Sequence, residues 1–440
     1  MIIKRKKWTL FAIVALVAAL AAVATSAQDS STEIQPATDT SRFVLNTLFF
    51  LVMGMVVMFM SAGFSMLEVG LARAKNAASV CIKNIAVLAI AALMTWLVGY
   101  NLIYGVEPGG LLGAFAVWSP DDADPMSAGR ASGAHWFLQM AFAAVAAMIV
   151  AGALAERAKL WPFLLFATAL TGVIYPIGAS WVWGAGYLDE AFKFKDFAGA
   201  TVVHAAAGWA ALAAAIIIGP RAGKYAGGRV NSMPGSNLPL AALGALILWL
   251  GWFGLNGGSQ LALGAIADSI AISRVFVNTD IAGAAGVAAA IILTQIIYKK
   301  IDLTAVLNGA IGGLVSISAD PVHPAMWQAA VIGAFGGVIV TVAAPMLDRL
   351  RIDDVVGAIP AHLFCGVWGT FIVPWSNKDA TVLGQIVGIL MIGAFVFVMS
   401  LLAWVILKYT VGVRASAEAE QHGLDRAELG VEAYPGFAQL

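Results

Sequence analysis

Two histidines stand in matching surroundings. The run Asp196-Phe-Ala-Gly199-Ala200-Thr-Val-Val-His204-Ala-Ala-Ala-Gly208 aligns without gaps on Asp354-Val-Val-Gly357-Ala358-Ile-Pro-Ala-His362-Leu-Phe-Cys-Gly366. The shared pattern D-x-x-G-A-x-x-x-H-x-x-x-G recurs at a separation of 158 residues. Two neutral imidazoles in register can share one N–H, which sets both tautomers and leaves their outer edges for a small polar solute. A pair that only ties two helices together is the plainer alternative. A metal site is a third, because Cys365 follows His362 by three residues. With no further acidic or histidine ligand beside it, no metal is expected, and no cofactor motif occurs. The leading Asp196 and Asp354, and Asp353 beside the latter, have the residue type of helix N-caps.

The surroundings decide what such a pair can do. The chain has 440 residues, 61% hydrophobic and 11% charged, against about 25% charged in soluble domains. Mean hydropathy is +0.87. These values exclude a soluble enzyme, a nucleic-acid binder and a disordered chain, and imply a polytopic helical membrane protein. The apolar runs are continuous rather than alternating, which excludes a β-barrel. Net charge is zero, with 25 basic and 25 acidic residues. Cys81 and Cys365 lie far apart and imply no disulfide framework.

Lys4, Arg5, Lys6 and Lys7 precede an apolar run from Trp8 to about Ala24, followed by small residues. That is the layout of a signal peptide over 1–27, cut between Ala24 and Ala27, with an uncleaved first helix as the alternative. A short periplasmic segment over 28–43 would follow. Eleven apolar segments come next, at about 44–71, 84–105, 134–155, 161–183, 197–219, 237–262, 276–298, 303–319, 326–347, 355–374 and 383–408. Each approaches the roughly 20 residues of a spanning helix. Gly309, Gly312 and Gly313 in the short eighth segment predict close helix packing. With the mature N-terminus outside, the inner loops hold twelve Lys and Arg and the outer segments six. This bias predicts an N-out, C-in chain with a cytoplasmic tail at 409–440. No loop is large enough for a soluble catalytic domain, so no enzyme is expected.

The expected architecture is therefore all-α: an eleven-helix transport domain over 44–408. It divides into inverted five-helix repeats at about 44–219 and 237–374, plus a last helix at 383–408. A fainter match pairs Gly63, Leu67 and Gly70 with Gly251, Leu255 and Gly258. In inverted repeats the site sits near the midplane between the halves. Counted from Asp196 and Asp354, each histidine is eight residues into its segment, or about 12 Å at 1.5 Å per residue. Entering from opposite faces of a core about 30 Å thick, both reach the middle.

D-F-A-G-A-T-V-V-H (196–204) resembles the hallmark of the ammonium transporter (Amt/Mep/Rh) family, bacterial Amt type. So do A-G-F-S-M-L-E (62–68), G-A-L-A-E-R (152–157), N-L-P-L (237–240), G-W-F-G-L-N-G-G-S (251–259), D-D-V-V-G-A-I-P-A-H (353–362) and the tail G-L-D-R-A-E-L-G-V-E-A-Y (423–434). The resemblance spans nearly everything after residue 43. It implies a homotrimer in a bacterial inner membrane, each protomer with its own pore, recruiting NH4+ outside, deprotonating it and conducting NH3 while the proton follows a separate path.

By that resemblance His204 and His362 line the pore, and Phe142 forms the outer gate. Trp183, Ser259, Phe142 and Asp196 hold the ion at the outer site, with Trp181 as a competing assignment for Trp183 and Gln139 as a weaker candidate. Asp196 caps its helix and shapes the site or assists deprotonation. Leu255 departs from the family, in which many members carry a second gate Phe at that position. The tail resembles one that meets a PII-type regulatory protein; an inter-protomer brace is the plainer role. Deprotonation suits this layout: a bare ammonium ion in hydrocarbon costs tens of kcal/mol. Releasing a proton two or three units above ambient pH costs only about 3–4 kcal/mol. K+ has no proton to lose. The alternatives are an ammonium sensor of the same fold, which usually carries a fused signalling domain, and a channel for another small neutral gas or amine.

Overall fold

The computed structural model describes residues 38–435. The expected signal peptide lies outside them. Among these residues eleven apolar helical segments follow in order: α1 (Asp39–Leu71), α2 (Ala74–Tyr104), α3 (Pro125–Ala153), α4 (Leu160–Phe192), α5 (Ala200–Ile218), α6 (Leu238–Gly258), α7 (Ile266–Tyr298), α8 (Leu303–Ile317), α9 (Met326–Arg349), α10 (Ile359–Trp375) and α11 (Val382–Thr410). Among the described residues nine are long and apolar enough to cross a membrane; α8 and α10 are shorter. Each expected segment meets one helix.

The ends differ where capping extends a helix past its apolar run. α1 starts at Asp39 rather than 44, because the Thr38 hydroxyl accepts from Ser41 N at 3.2 Å. α7 starts ten residues early, at Ile266, where Asp268 accepts from Ala265 N at 3.0 Å. α2 also begins ten residues early, at Ala74. Hydropathy reads Lys75 and Lys83 as loop, but α2 gains a cap from the far end of the chain.

Neighbour relations in α1–α5 recur in α6–α10. α1 packs on α3 as α6 does on α8; α2 meets α3 and α4 as α7 meets α8 and α9; α3 meets α5 as α8 meets α10. The sets join along α1–α6 and α5–α10, and α11 lies on α5. The α8 glycines make the expected close approach. A Cβ on Gly313 would lie 2.3 Å from Ala282 O, and one on Gly309 would lie 2.7 Å from Ala290 Cβ. α3 is the most enclosed helix, with 89% of its apolar window buried, and its run of alanines lets neighbours approach.

One end of the bundle is closed by charge. Asp353 accepts Arg221 Nε and Nη2 at 2.8 and 2.9 Å and Arg221 N at 2.8 Å. Burial opposes ionisation of Asp353, but Arg221 and the charge of Arg157 hold its carboxyl well below the usual range. It is thus an ion-pair partner, whereas Asp354 is the cap, accepting from Gly357 N and Ile359 N. Glu156 accepts from Arg221 Nη1 at 2.9 Å and from Arg73 Nε.

The tail docks on this end. Asp425 accepts from Ala78 N and Ser79 N at 3.0 and 2.7 Å, capping α2. Glu428 accepts from Leu160 N at 3.0 Å, at the first residue of α4. Lys75 Nζ donates to Glu420 O and Gln421 O, and Asn76 Oδ1 accepts from Leu424 N. The tail therefore braces its own protomer. Asp425→Ala removes a cap of about 1 kcal/mol, so limited proteolysis should cut within 415–430 roughly fivefold faster than in wild type.

Candidate functional site

The local geometry of both histidines follows from the repeated sequence. Gly199 and Gly357 take positive φ, +92° and +78°, a region that only glycine enters freely. The preceding aspartates fold back over the turn. Asp196 accepts from the N–H groups of Gly199 (3.1 Å), Ala200, Thr201 and Val202 (2.8 Å each). These turns lie outside the helices, so the helices start later than the eight-residue count assumes. His204 is the fifth residue of α5 and His362 the fourth of α10. Both lie in wide π-helical turns, Ala200–Ala205 and Ile359–Phe364, a conformation frequent at functional sites.

The turns bring the two rings together. His204 Nδ1 and His362 Nδ1 are 3.2 Å apart. The rings stack with centroids 5.2 Å apart at 26°. Both side chains are buried, and His204 Nε2 has no hydrogen-bond partner. A hydroxyl pair, Thr201 with Thr370 at 2.7 Å, ties α5 to α10 beside them.

Trp252 of α6 stacks on His204, centroids 5.2 Å apart at 20°, and donates its indole N–H to Ser318 Oγ at 3.0 Å. Sequence reasoning missed it: inside an apolar helix a tryptophan reads as packing. The signal available was its place in the G-W-F-G-L-N-G-G-S stretch. Leu255 and Ser259 follow Trp252 at steps of three and four residues, so they share its helix face. Leu255 is buried. The Ser259 hydroxyl donates to Leu255 O at 2.8 Å, leaving its lone pairs free to accept. Ser259 is thus tied to its own helix rather than to Trp183 or Phe142.

Those two aromatics do meet, with ring centroids 5.9 Å apart. Trp183 donates to Asp196 O at 2.9 Å, so Phe142, Trp183 and Asp196 form one unit. A Cβ on Gly199 would lie 3.1 Å from the Trp183 ring, which gives that glycine a second reason to be there. Trp181 turns elsewhere, donating to Leu111 O and packing on Phe395. A cavity of about 350 Å³ opens beside Trp183 and Asp196; on its walls Asp189 pairs with Lys195 and Asp320 with His323, and Asp379 is a third acid. Gln139 lies by His135, which meets the Tyr100 hydroxyl at 2.8 Å, a buried polar cluster that the sequence did not signal. Cys365 turns its sulfur to Gly336 O at 3.5 Å.

An all-helical bundle of apolar spans with an enclosed histidine pair, and with the Phe142–Trp183 pair beside a polar cavity, has the makeup of a membrane transport protein. The model of the Ammonium Transporter Family matches residues 48–434. The chain belongs to that family, whose members are transporters rather than enzymes. It is 36% identical over 454 residues to ammonium transporter Amt2 of Archaeoglobus fulgidus, covering 96% of this chain and 95% of that one. Ammonium transporter Amt1 of Haloferax mediterranei is 37% identical over 420 residues, covering 89% and 80%. Among solved structures, a protein described as a sensor Amt protein superposes with TM-score 0.83 at 33% identity, covering 89% of this chain and all of that one. Candida albicans Mep2 superposes with TM-score 0.79 at 25% identity, covering 90% and 92%.

Proposed function

We propose that this ammonium transporter family member recruits NH4+ beside Phe142 and Trp183, removes its proton there, and passes NH3 along His204 and His362, with the proton carried separately. The observation that carries the reading is the buried histidine pair 3.2 Å apart. A neutral pair in an apolar channel offers NH3 a hydrogen bond and offers a bare cation almost nothing. An aromatic face attracts a cation by about 1–2 kcal/mol, which favours ammonium over a neutral gas. Asp196 holds the turn that fixes the Trp183 ring, and Ser259 accepts from the ion. The protein acts as a homotrimer of separately conducting protomers in a bacterial inner membrane, after removal of residues 1–27. Residues 28–43 lie outside, 44–408 form the transport domain, and 409–440 are the cytoplasmic tail. A PII-type protein binds at the tail.

Ammonium-evoked currents in proteoliposomes test the reading: a pulse should give a current that K+ does not. A protein that binds ammonium but carries neither current nor labelled methylammonium is the sensor alternative, to which the likeness to a sensor Amt protein lends support. Binding of a PII protein from the same cell, with and without 2-oxoglutarate, checks the tail; no binding under any nucleotide condition removes that partner.

Leu255 supplies a sharper test. Its place between Trp252 and Ser259 on one face of α6 supports a gate position opposite Phe142. Leu255→Phe should leave ammonium uptake near normal and lower the methylammonium-to-ammonium ratio, at an overpacking cost of about 1–3 kcal/mol. An unchanged ratio at matched protein levels removes Leu255 from the gate.

A further inference from the structure

Glu68 ends the stretch A-G-F-S-M-L-E and has no part in the reading above. A carboxyl group inside an apolar bundle is costly and marks function unless a partner accounts for it. Glu68 is 1% exposed, near the end of α1. Its Oε2 accepts from Asn84 Nδ2 at 2.7 Å. Its Oε1 is buried with no hydrogen-bond partner. Gly152 of α3 makes the space: a Cβ there would lie 2.8 Å from Oε1. Holding Asn84 requires one oxygen, so the second, which faces the Gly152 backbone, is a desolvated acceptor open to a proton.

Glu68 shares a narrow cavity with His362, walled by Phe64, Ile149, Asn308 and Val356 among others, with space for about one water molecule. Glu68 and His362 are the two groups lining it that exchange protons. Lys83, one residue before Asn84, donates to Ala158 O at 2.7 Å; its charge acts on Glu68 without a hydrogen bond between them.

We propose that Glu68 is the inner proton acceptor of the transport cycle, an inference that rests on the transport reading above. His362, once it has taken up the proton lost by NH4+ at the outer site, gives up a ring N–H, directly or through one water, and the proton adds to Glu68 Oε1. The N–H bond breaks, the O–H bond forms, and His362 returns to neutral. Release to water at the tail-bearing end restores the carboxylate. The proton, already parted from NH3 at the outer site, thus leaves the histidine pair through Glu68, and Asn84 positions the carboxyl group.

The test uses the full chain in proteoliposomes containing a lumenal pH dye, with protein-free vesicles subtracted. In wild type, NH3 and H+ arrive together, so an ammonium pulse gives current with little alkalinisation. Glu68→Gln should lower the current by at least about tenfold while NH3 still enters, so the lumen turns alkaline. Glu68→Asp, which keeps a carboxyl, should retain more current than Glu68→Gln. Wild-type current and lumenal pH in Glu68→Gln overturn the proposal. So does equal loss in both variants, or loss of current and NH3 entry together in a monodisperse protein, the mark of a packing role. If Glu68→Gln is not monodisperse, wild type treated with a hydrophobic carbodiimide decides: the current should fall in step with Glu68 modification, and full current at full modification overturns the proposal. A wild type without ammonium current sinks the transport reading, whereas normal wild-type current with an unaffected variant sinks only this one.

Discussion

Ammonium uptake should collapse, or K+ should leak, when either His204 or His362 is replaced by alanine. The two rings hold each other at 3.2 Å, and Trp252 covers His204. Removing one ring leaves the other nitrogen without its partner in a buried site, a penalty of about 1–3 kcal/mol. It also opens a volume of ring size beside α5 or α10. Water that enters this space would solvate a bare cation, and the discrimination that depends on losing a proton would vanish. The expected loss of selective uptake is at least a hundredfold, about 2.7 kcal/mol. Currents with ammonium and with K+ in both variants check it; unchanged size and selectivity in both would remove the pair from the pore.

Asp196→Ala should have the next largest effect. One carboxylate satisfies four backbone N–H groups of the turn that opens α5. Alanine leaves them unpaired in a buried site, at about 1–3 kcal/mol for each that finds no water. The turn also carries the Asp196 carbonyl that holds the Trp183 indole. Loss of stability by about 3 kcal/mol or more and loss of uptake should come together. Asp196→Asn, which keeps one acceptor oxygen, should fall between. Thermal denaturation and methylammonium uptake at matched expression separate the roles: a stable Asn variant with no uptake assigns the charge to transport, and an Ala variant with both values unchanged would refute the cap.

Much of this architecture is legible in the residues. The aspartate that leads each repeat reads as a helix cap, and both Asp196 and Asp354 accept from backbone N–H groups that open a helix. Periodicity and length find each helix because burial of apolar stretches dominates their formation. What hydropathy does not reveal is set by distant partners. The first turns of α2 look like loop because their cap, Asp425, lies 346 residues beyond Ser79. Counting depth from Asp196 fails because the residues after it belong to the cap. Trp252 and Glu68 are silent because single residues in apolar segments acquire meaning only from what faces them, here His204 and the cavity below His362.

The docking of the tail bears on how the molecule is made. Synthesis runs from α1 toward the tail, so α2 and α4 reach the bilayer long before Asp425 and Glu428 leave the ribosome. Until then the N–H groups of Ala78, Ser79 and Leu160 have only water or lipid headgroups to meet. The front half of the bundle is finished by a segment that lies 346 residues beyond Ser79. A premature stop near residue 415 would therefore show its damage at α2 and α4, early in the sequence, and a quality-control protease would meet those helix ends as loose.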